Sequence, residues 1–155
     1  MTFALVACLA LFADQLSKGL VRLFLPQGKV QQLIGNLLVL RQARNSGAAF
    51  GILPGASWLF LTIAVLAIAA IIALYVFWVR GKAVLYHVGL GLICAGALGN
   101  IIDRAVFGKV IDFIEFSFWP SFNLADAAIV AGVVIILYQL FREYGRERQS
   151  ESQGE

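Results

Sequence analysis

Apolar residues fill four long stretches of the chain, and polar residues collect mainly in the connections between them. About 20 apolar residues are needed to cross the ~30 Å hydrocarbon layer. The pattern predicts spans at about 2–24, 57–79, 85–102 and 124–141. The first stops at Pro26. The second holds no charge and ends at Arg80-Gly81-Lys82, and the third, rich in glycine, runs into Asp103-Arg104. The fourth ends at Arg142, and the polar residues 142–155 read as a disordered tail. Between spans one and two, 29–45 reads as strand material, with Gly35-Asn36 able to turn and Leu37 to Leu40 rich in β-compatible residues, so a small sheet at the membrane surface is expected. Between spans three and four, 107–122 mixes Phe113, Phe116, Phe118 and Trp119 with acids, a composition that anchors a segment at head-group level.

Consecutive spans alternate direction, so both long connections lie on one membrane face. Before the tail the acids are Asp14, Asp103, Asp112, Glu115 and Asp126, and all belong to that face or the half-span nearest it. Asn45, Asn100, Asn123, Lys18 and Arg104 join them, whereas the opposite face holds chiefly Arg80, Lys82 and the tail. The polar chemistry is one-sided. Counting Lys and Arg in the loops does not decide orientation, but the compact Arg80 turn and the C-terminus are expected in the cytoplasm.

Composition narrows the class. Of 155 residues, 61% are hydrophobic and 14% charged, against about 25% charged in a soluble domain. The net charge of +3 comes from bases beside apolar runs, a distribution that suits lipid head groups and not nucleic acid. Cys8 and Cys94 sit in apolar runs without metal-like spacing. Leu5-Val6-Ala7-Cys8 has the pattern of a lipoprotein cleavage sequence, yet no base precedes it, its apolar lead is short and helix continues beyond it, so it reads as span one.

An ionisable group in hydrocarbon costs at least ~2.5 kcal/mol, so each should pair, face the bundle interior or serve a function. Asp14 and Lys18 are spaced i, i+4, as a structural ion pair would be. Gly91, Ala95 and Gly99 form a small-residue row for close packing. On a neighbouring stripe Gly96, Asn100 and Asp103 carry an amide and a carboxylate toward the polar face. Asn123 and Asp126 open span four at i, i+3, where capping alone would explain them. The single histidine, His87, falls at the opposite face, so neither a Ser-His or Cys-His pair nor a zinc site can form on the polar side. If the chain is a hydrolase, carboxylates do the work, two of them sharing one proton, and Asp112 and Asp126 flank a segment able to fold back on itself. A small proton-coupled transporter or a non-enzymatic assembly subunit would use some of the same residues. A path across the membrane, however, needs polar residues toward both faces, and an assembly subunit leaves the amide-carboxylate stripes unexplained.

Five segments in order carry a family resemblance: Asp14-Gln15-Leu16-Ser17-Lys18; Asn45-Ser46-Gly47-Ala48-Ala49-Phe50-Gly51; Ala95 to Arg104; Val110-Ile111-Asp112-Phe113; and Phe122-Asn123-Leu124-Ala125-Asp126. In them the chain resembles the bacterial lipoprotein signal peptidases, or signal peptidase II, over most of its length. The resemblance implies an aspartyl endopeptidase with Asp112 and Asp126 as catalytic dyad, which removes signal peptides from diacylglyceryl-modified prolipoproteins by cutting before the lipidated cysteine. It implies that Asn45, Gly47, Asn100, Arg104 and Asn123 line or orient the site, that Asp103 positions Arg104, and that Asp14 and Lys18 are a scaffold pair. It also implies a bacterial inner-membrane enzyme with both termini cytoplasmic and the dyad at the outer face. The expected fold class is membrane all-α: one peptidase domain over 1–141, a four-transmembrane-helix bundle with a small β-sheet and a short loop or helix at the outer surface. A monomer is expected, with a lipid-modified prolipoprotein substrate and membrane lipids as partners, and without metal or other cofactor.

Overall fold

The structure, a computed structural model, describes residues 1–47 and 55–153, without the side chains of 150–153. Its elements run α1 (Thr2–Phe24), β1 (Val30–Ile34), β2 (Leu38–Asn45), α2 (Ser57–Leu74, prolonged by a π-helical turn Tyr75–Val79), α3 (Val84–Phe107), β3 (Val110–Phe116), β4 (Trp119–Phe122) and α4 (Leu124–Gln153). Four of these helices are long and apolar enough to span a membrane, at Thr2–Phe24, Ser57–Val79, Val84–Phe107 and Leu124–Gln149. The predicted four-span bundle is therefore present.

Helix α3 is the hub. It packs against each of the other three helices and buries more than half of its apolar window, whereas α2 leaves its own window uncovered. Small residues permit this approach. A methyl added at Gly132 of α4 would stand 2.5 Å from the Gly89 carbonyl oxygen, and one at Gly96 would overlap the Ala125 carbonyl oxygen. Gly91 and Gly99 of the predicted row face α1 instead, against Phe3 and Asp14. The large exposed apolar side chains, Phe12, Leu66, Phe77 and Phe141 among them, are what a lipid-facing surface requires.

Three boundaries differ from the sequence pattern. Asp103 and Arg104 do not end α3, because Asp103 is buried and Arg104 half-buried against neighbouring elements; the helix stops at Gly108, whose φ of 70° costs an L side chain far more than it costs glycine. Residues 107–122 are not a loop. β3 and β4 join β1 and β2 in one antiparallel sheet of order β1-β2-β3-β4. Beyond Phe141 the polar tail continues α4 to Gln153. Glu and Arg are good helix formers, Gln139 Nε2 donates to Glu143 Oε1 (2.9 Å) and Arg148 lies over the Tyr144 ring (5.4 Å), both at i, i+4 spacing.

The sheet sits at the end of the bundle where α1 and α3 finish and α2 and α4 begin. Ser57 at the start of α2 donates from Oγ to the carbonyls of Ser46 (3.1 Å) and Gly108 (2.7 Å), tying that end together. In the β2-β3 pair, Leu40 opposes Ile114 while Ala43 opposes Asp112, so β2 carries one extra residue between them. Such a bulge re-aims the side chains that follow it. Ala43 and Asn45 consequently share a face with Asp112, and Gln42 lies on the other.

Candidate active site

The start of α4 organises the site. Asn123 is the N-cap: its Oδ1 accepts from the amide of Asp126 (3.0 Å), and the Asp126 carboxylate Oδ2 accepts from the amide of Asn123 (3.2 Å). This reciprocal capping box satisfies two of the helix's free N–H groups. A third donor, the amide of Ala125, is met by Asp14 Oδ1 at 2.9 Å, from a residue 111 positions away. Capping thus leaves other atoms of these side chains free for further bonds. With its oxygen spent on the cap, the Asn123 amide nitrogen donates to Asp112 Oδ1 (2.7 Å) and Asn100 Oδ1 (3.2 Å).

Asn100 completes the link. Its Nδ2 donates to Asp126 Oδ1 at 2.8 Å, so Asp112 and Asp126 are bridged by two amides whose remaining groups are occupied. Asp112 Oδ2 accepts from Asn45 Nδ2 (3.0 Å), and Asn45 Oδ1 in turn accepts from the amide of Gly47 (2.9 Å). A cavity of about 290 Å³ is lined by both aspartates together with Asn45, Gly47, Asn100 and Arg104. It runs to Ile129 and to Val130, which is exposed on the flank of α4, so the cavity opens toward the lipid-facing surface.

Asp112 is 2% exposed, and the carboxyl is pushed up to about 6, first by burial and second by the charge of Asp126. The bonds from Asn45 and Asn123 and the charge of Lys18 oppose that rise. Buried beside a second carboxylate, Asp112 keeps its proton at pH values where an ordinary aspartate has lost it.

Behind the site lies a charge cluster. Lys18 is wholly buried, with Nζ 2.9 Å from Asp14 Oδ2 and 3.2 Å from Asp103 Oδ2, and it donates to Asn100 Oδ1 at 3.2 Å. Asp103 also pairs with Arg22 Nη2 (3.0 Å) and accepts from the amide of Ile111 (3.1 Å), beside Asp112. Asp103 therefore steadies Lys18, Arg22 and the base of β3, and its bonds go to these groups, whereas the family resemblance implies a role in positioning Arg104 and its surroundings. Arg104 instead reaches the Gly47 carbonyl (3.4 Å) and the face of Phe60, with its Nε buried and unpartnered among the described residues. Gln15 and Arg22 were missed as supporting residues. Gln15 Nε2 bridges Asp14 (3.1 Å) and the Gly99 carbonyl (3.2 Å), and Asp14, Lys18 and Arg22 form an i, i+4, i+8 stripe visible in the sequence. Ala48 to Gly51, the rest of the second segment, lie outside the described residues. At the other end of the bundle His87 packs edge-on to Tyr75, far from any carboxylate of the site.

Comparison with known proteins places this geometry. Residues 6–142 match the family described as Signal peptidase (SPase) II. The lipoprotein signal peptidase of Moorella thermoacetica is 42% identical over 150 residues, covering 95% of this chain and 99% of that one. Those of Syntrophomonas wolfei (43%; 92% and 94% covered) and Pelotomaculum thermopropionicum (37%; 95% and 96%) are similarly close. Two bacterial membrane enzyme structures determined by the in meso method superpose with TM-scores of 0.85 and 0.81 at 31% and 32% identity, over 94% and 90% of this chain and 90% and 92% of theirs. With the family matched over residues 6–142 and relatives and solved structures alike along nearly its whole length, this chain belongs to the signal peptidase II family.

Proposed function

We propose that Asp112 and Asp126 are the catalytic dyad of an aspartyl endopeptidase that cuts diacylglyceryl-modified prolipoproteins immediately before the lipidated cysteine. The supporting observation is the pair of carboxylates joined through Asn100 and Asn123 at one cavity. The ionised carboxylate takes a proton from water as the water oxygen adds to the scissile carbonyl carbon, and the protonated carboxyl donates toward the carbonyl oxygen. Collapse of the tetrahedral species breaks the C–N bond, with a proton passing to the leaving nitrogen. Asn45, Asn123 and Asn100 hold the carboxylates in place, and Arg104 with Gly47 lines the wall against which the peptide lies.

The opening beside Val130 lets acyl chains stay in lipid while the peptide bond reaches the carboxylates. In this reading the chain works as a monomer in the bacterial inner membrane, with both termini cytoplasmic and the dyad toward the outer face. A proton-coupled carrier is disfavoured by α3, whose buried residues between Leu90 and Ala97 carry no carboxylate, base or amide. Purified protein incubated with a lipidated precursor should release a shortened product. Asp112→Asn and Asp126→Asn should each abolish it while the protein stays folded, and full activity in either would refute the dyad. Asp103→Asn serves as the comparison, since loss of activity in that variant alone would move the chemistry to the charge cluster.

A further inference from the structure

The sheet has a second cavity, on the side away from the aspartates. Strand alternation sends Asp112 to one face of β3 and Ile111 to the other, and Ile111 forms part of the wall of a cavity of about 520 Å³. That volume lies within the range of ~300–1,000 Å³ typical of small-ligand pockets. Three cations line it: Arg22 from the end of α1, Arg44 from β2 and Lys109 from the turn after α3. Gln27 and Gln42 supply neutral donors and acceptors, and no acid is among the lining residues.

Two of the three cations are held in place by neighbouring side chains. Arg22 is anchored to Asp103 by Nη2 (3.0 Å) and lies 4.0 Å over the Phe107 ring, and its Nε is a buried donor with no acceptor among the described residues. In the amide orientation that satisfies both groups, Gln27 accepts from Arg44 Nη2 (3.2 Å) and Nε (2.5 Å), which steadies that guanidinium. Asp103 offsets the charge of Arg22, which leaves Arg44 and Lys109 as two cations at the cavity without an acidic partner among the described residues, and an anion placed between them would be favoured.

The geometry points to a binding site for the phosphodiester head group of an anionic phospholipid in the leaflet at the sheet end of the bundle. Depth argues for a lipid over a soluble anion. The cavity lies where α1 and α3 end, and Leu23 (76% exposed), Phe24 (77%) and Val106 (65%), adjacent in sequence to its lining residues Arg22 and Phe107, offer exposed apolar surface to acyl chains. A head group fits the cavity while two acyl chains must run outside it, along those side chains. Because this site is across the sheet from the dyad, the inference does not depend on which residues carry out cleavage.

The test is native mass spectrometry of the full chain in neutral detergent, titrated with phosphatidylglycerol or phosphatidylcholine. Phosphatidylglycerol should bind at least about tenfold more tightly, and Arg44→Gln with Lys109→Gln should weaken it about fivefold each and about 25-fold together, without changing phosphatidylcholine binding. Arg41→Gln, on the same sheet but paired with Glu115 outside the cavity, should change it by less than about twofold. Equal binding of the two lipids, or full retention by the double variant, overturns the site. Displacement of the lipid by millimolar inorganic phosphate overturns the lipid assignment in favour of a soluble anion. Melting temperatures check that the variants are folded, and Lys109→Gln, at an exposed turn, carries the test if the double variant is not.

Discussion

Replacing Lys18 with methionine keeps an unbranched side chain of similar length but removes the one cation shared by Asp14, Asp103 and Asn100. Asp14 would keep Gln15 and the Ala125 amide, and Asp103 would keep Arg22 and the Ile111 amide. The four charges Asp14, Lys18, Asp103 and Arg22 sum to zero, and the variant leaves a net negative charge where Lys18 is 0% exposed. Removing one partner of a buried ion pair costs about 3–5 kcal/mol. For a chain of this size about 1 kcal/mol corresponds to roughly 2–4 °C, so the melting temperature should fall by about 6–20 °C. Asp14→Asn in the same chain restores neutrality, and its Oδ1 still accepts from Ala125. The double variant should therefore recover part of the loss, with a coupling of about 1–3 kcal/mol. Thermal unfolding in detergent, followed by tryptophan fluorescence, measures all four corners of the cycle. A single variant that melts within about 2 °C of the parent, or losses that simply add, would show that the cluster is not an energetic unit.

Two more predictions test the site and its scaffold. Asp112 releases its proton at about 6, so cleavage should decline as pH rises through that value, because deprotonation leaves two anions in one cavity; Asp126→Asn removes the repelling charge and should lower the Asp112 value, though burial keeps it above that of an ordinary aspartate. Infrared titration of the Asp112 carboxyl reads the shift, and an unchanged or raised value contradicts it. Since the folded-state value is raised from 3.8, the linked stability is complete below about pH 4 and is lost as pH rises through about 6, a dependence that Asp112→Asn should lack. Gly96→Ala should cost about 1–3 kcal/mol by forcing α3 from the Ala125 carbonyl, whereas Gly145→Ala, where nothing lies within 4 Å of the added carbon, should be neutral or stabilising. Equal melting temperatures for the two glycine variants would rule out the close helix contact.

The spans were legible because hydrocarbon imposes one rule on about 20 residues at a time, and no local detail competes with it. Their ends were not, since a charge at a helix end is ambiguous between a stop and a paired interior group. Asp103 looked like a terminus and is the buried partner of Lys18 and Arg22. β3 was hidden by a conflict of signals. Val110 to Phe116 is rich in β-branched and aromatic residues, but its acids and neighbouring rings also fit an interfacial anchor, and pairing with β2 decides between them. Asn123 and Asp126 were legible as a cap, which is present, and the proposed chemistry is compatible with it because different atoms cap the helix and face the carboxylate pair. The link from Asp14 to the Ala125 amide had no local signature, since it joins the two ends of the chain.

That link explains why a scaffold of charges lies under a site made of amides. The N-terminus of α4 presents unpaired N–H groups and a positive dipole end inside a bundle with little water to satisfy them. The carboxyl oxygens of Asp14 and Asp126 meet the need as acceptors, and Asp14 is in turn paired with Lys18. Lys18 carries a further bond to Asn100, and Asn100 fixes Asp126. Helix capping, ion pairing and placement of the proposed catalytic carboxylate are thus successive steps of one hydrogen-bonded chain. Asn100→Leu breaks that chain at a point that leaves the Asp14-Lys18 pair intact. It should lower kcat far more than it raises KM, while a variant that lost only substrate affinity would show Asn100 to be part of the binding wall and not the support of Asp126.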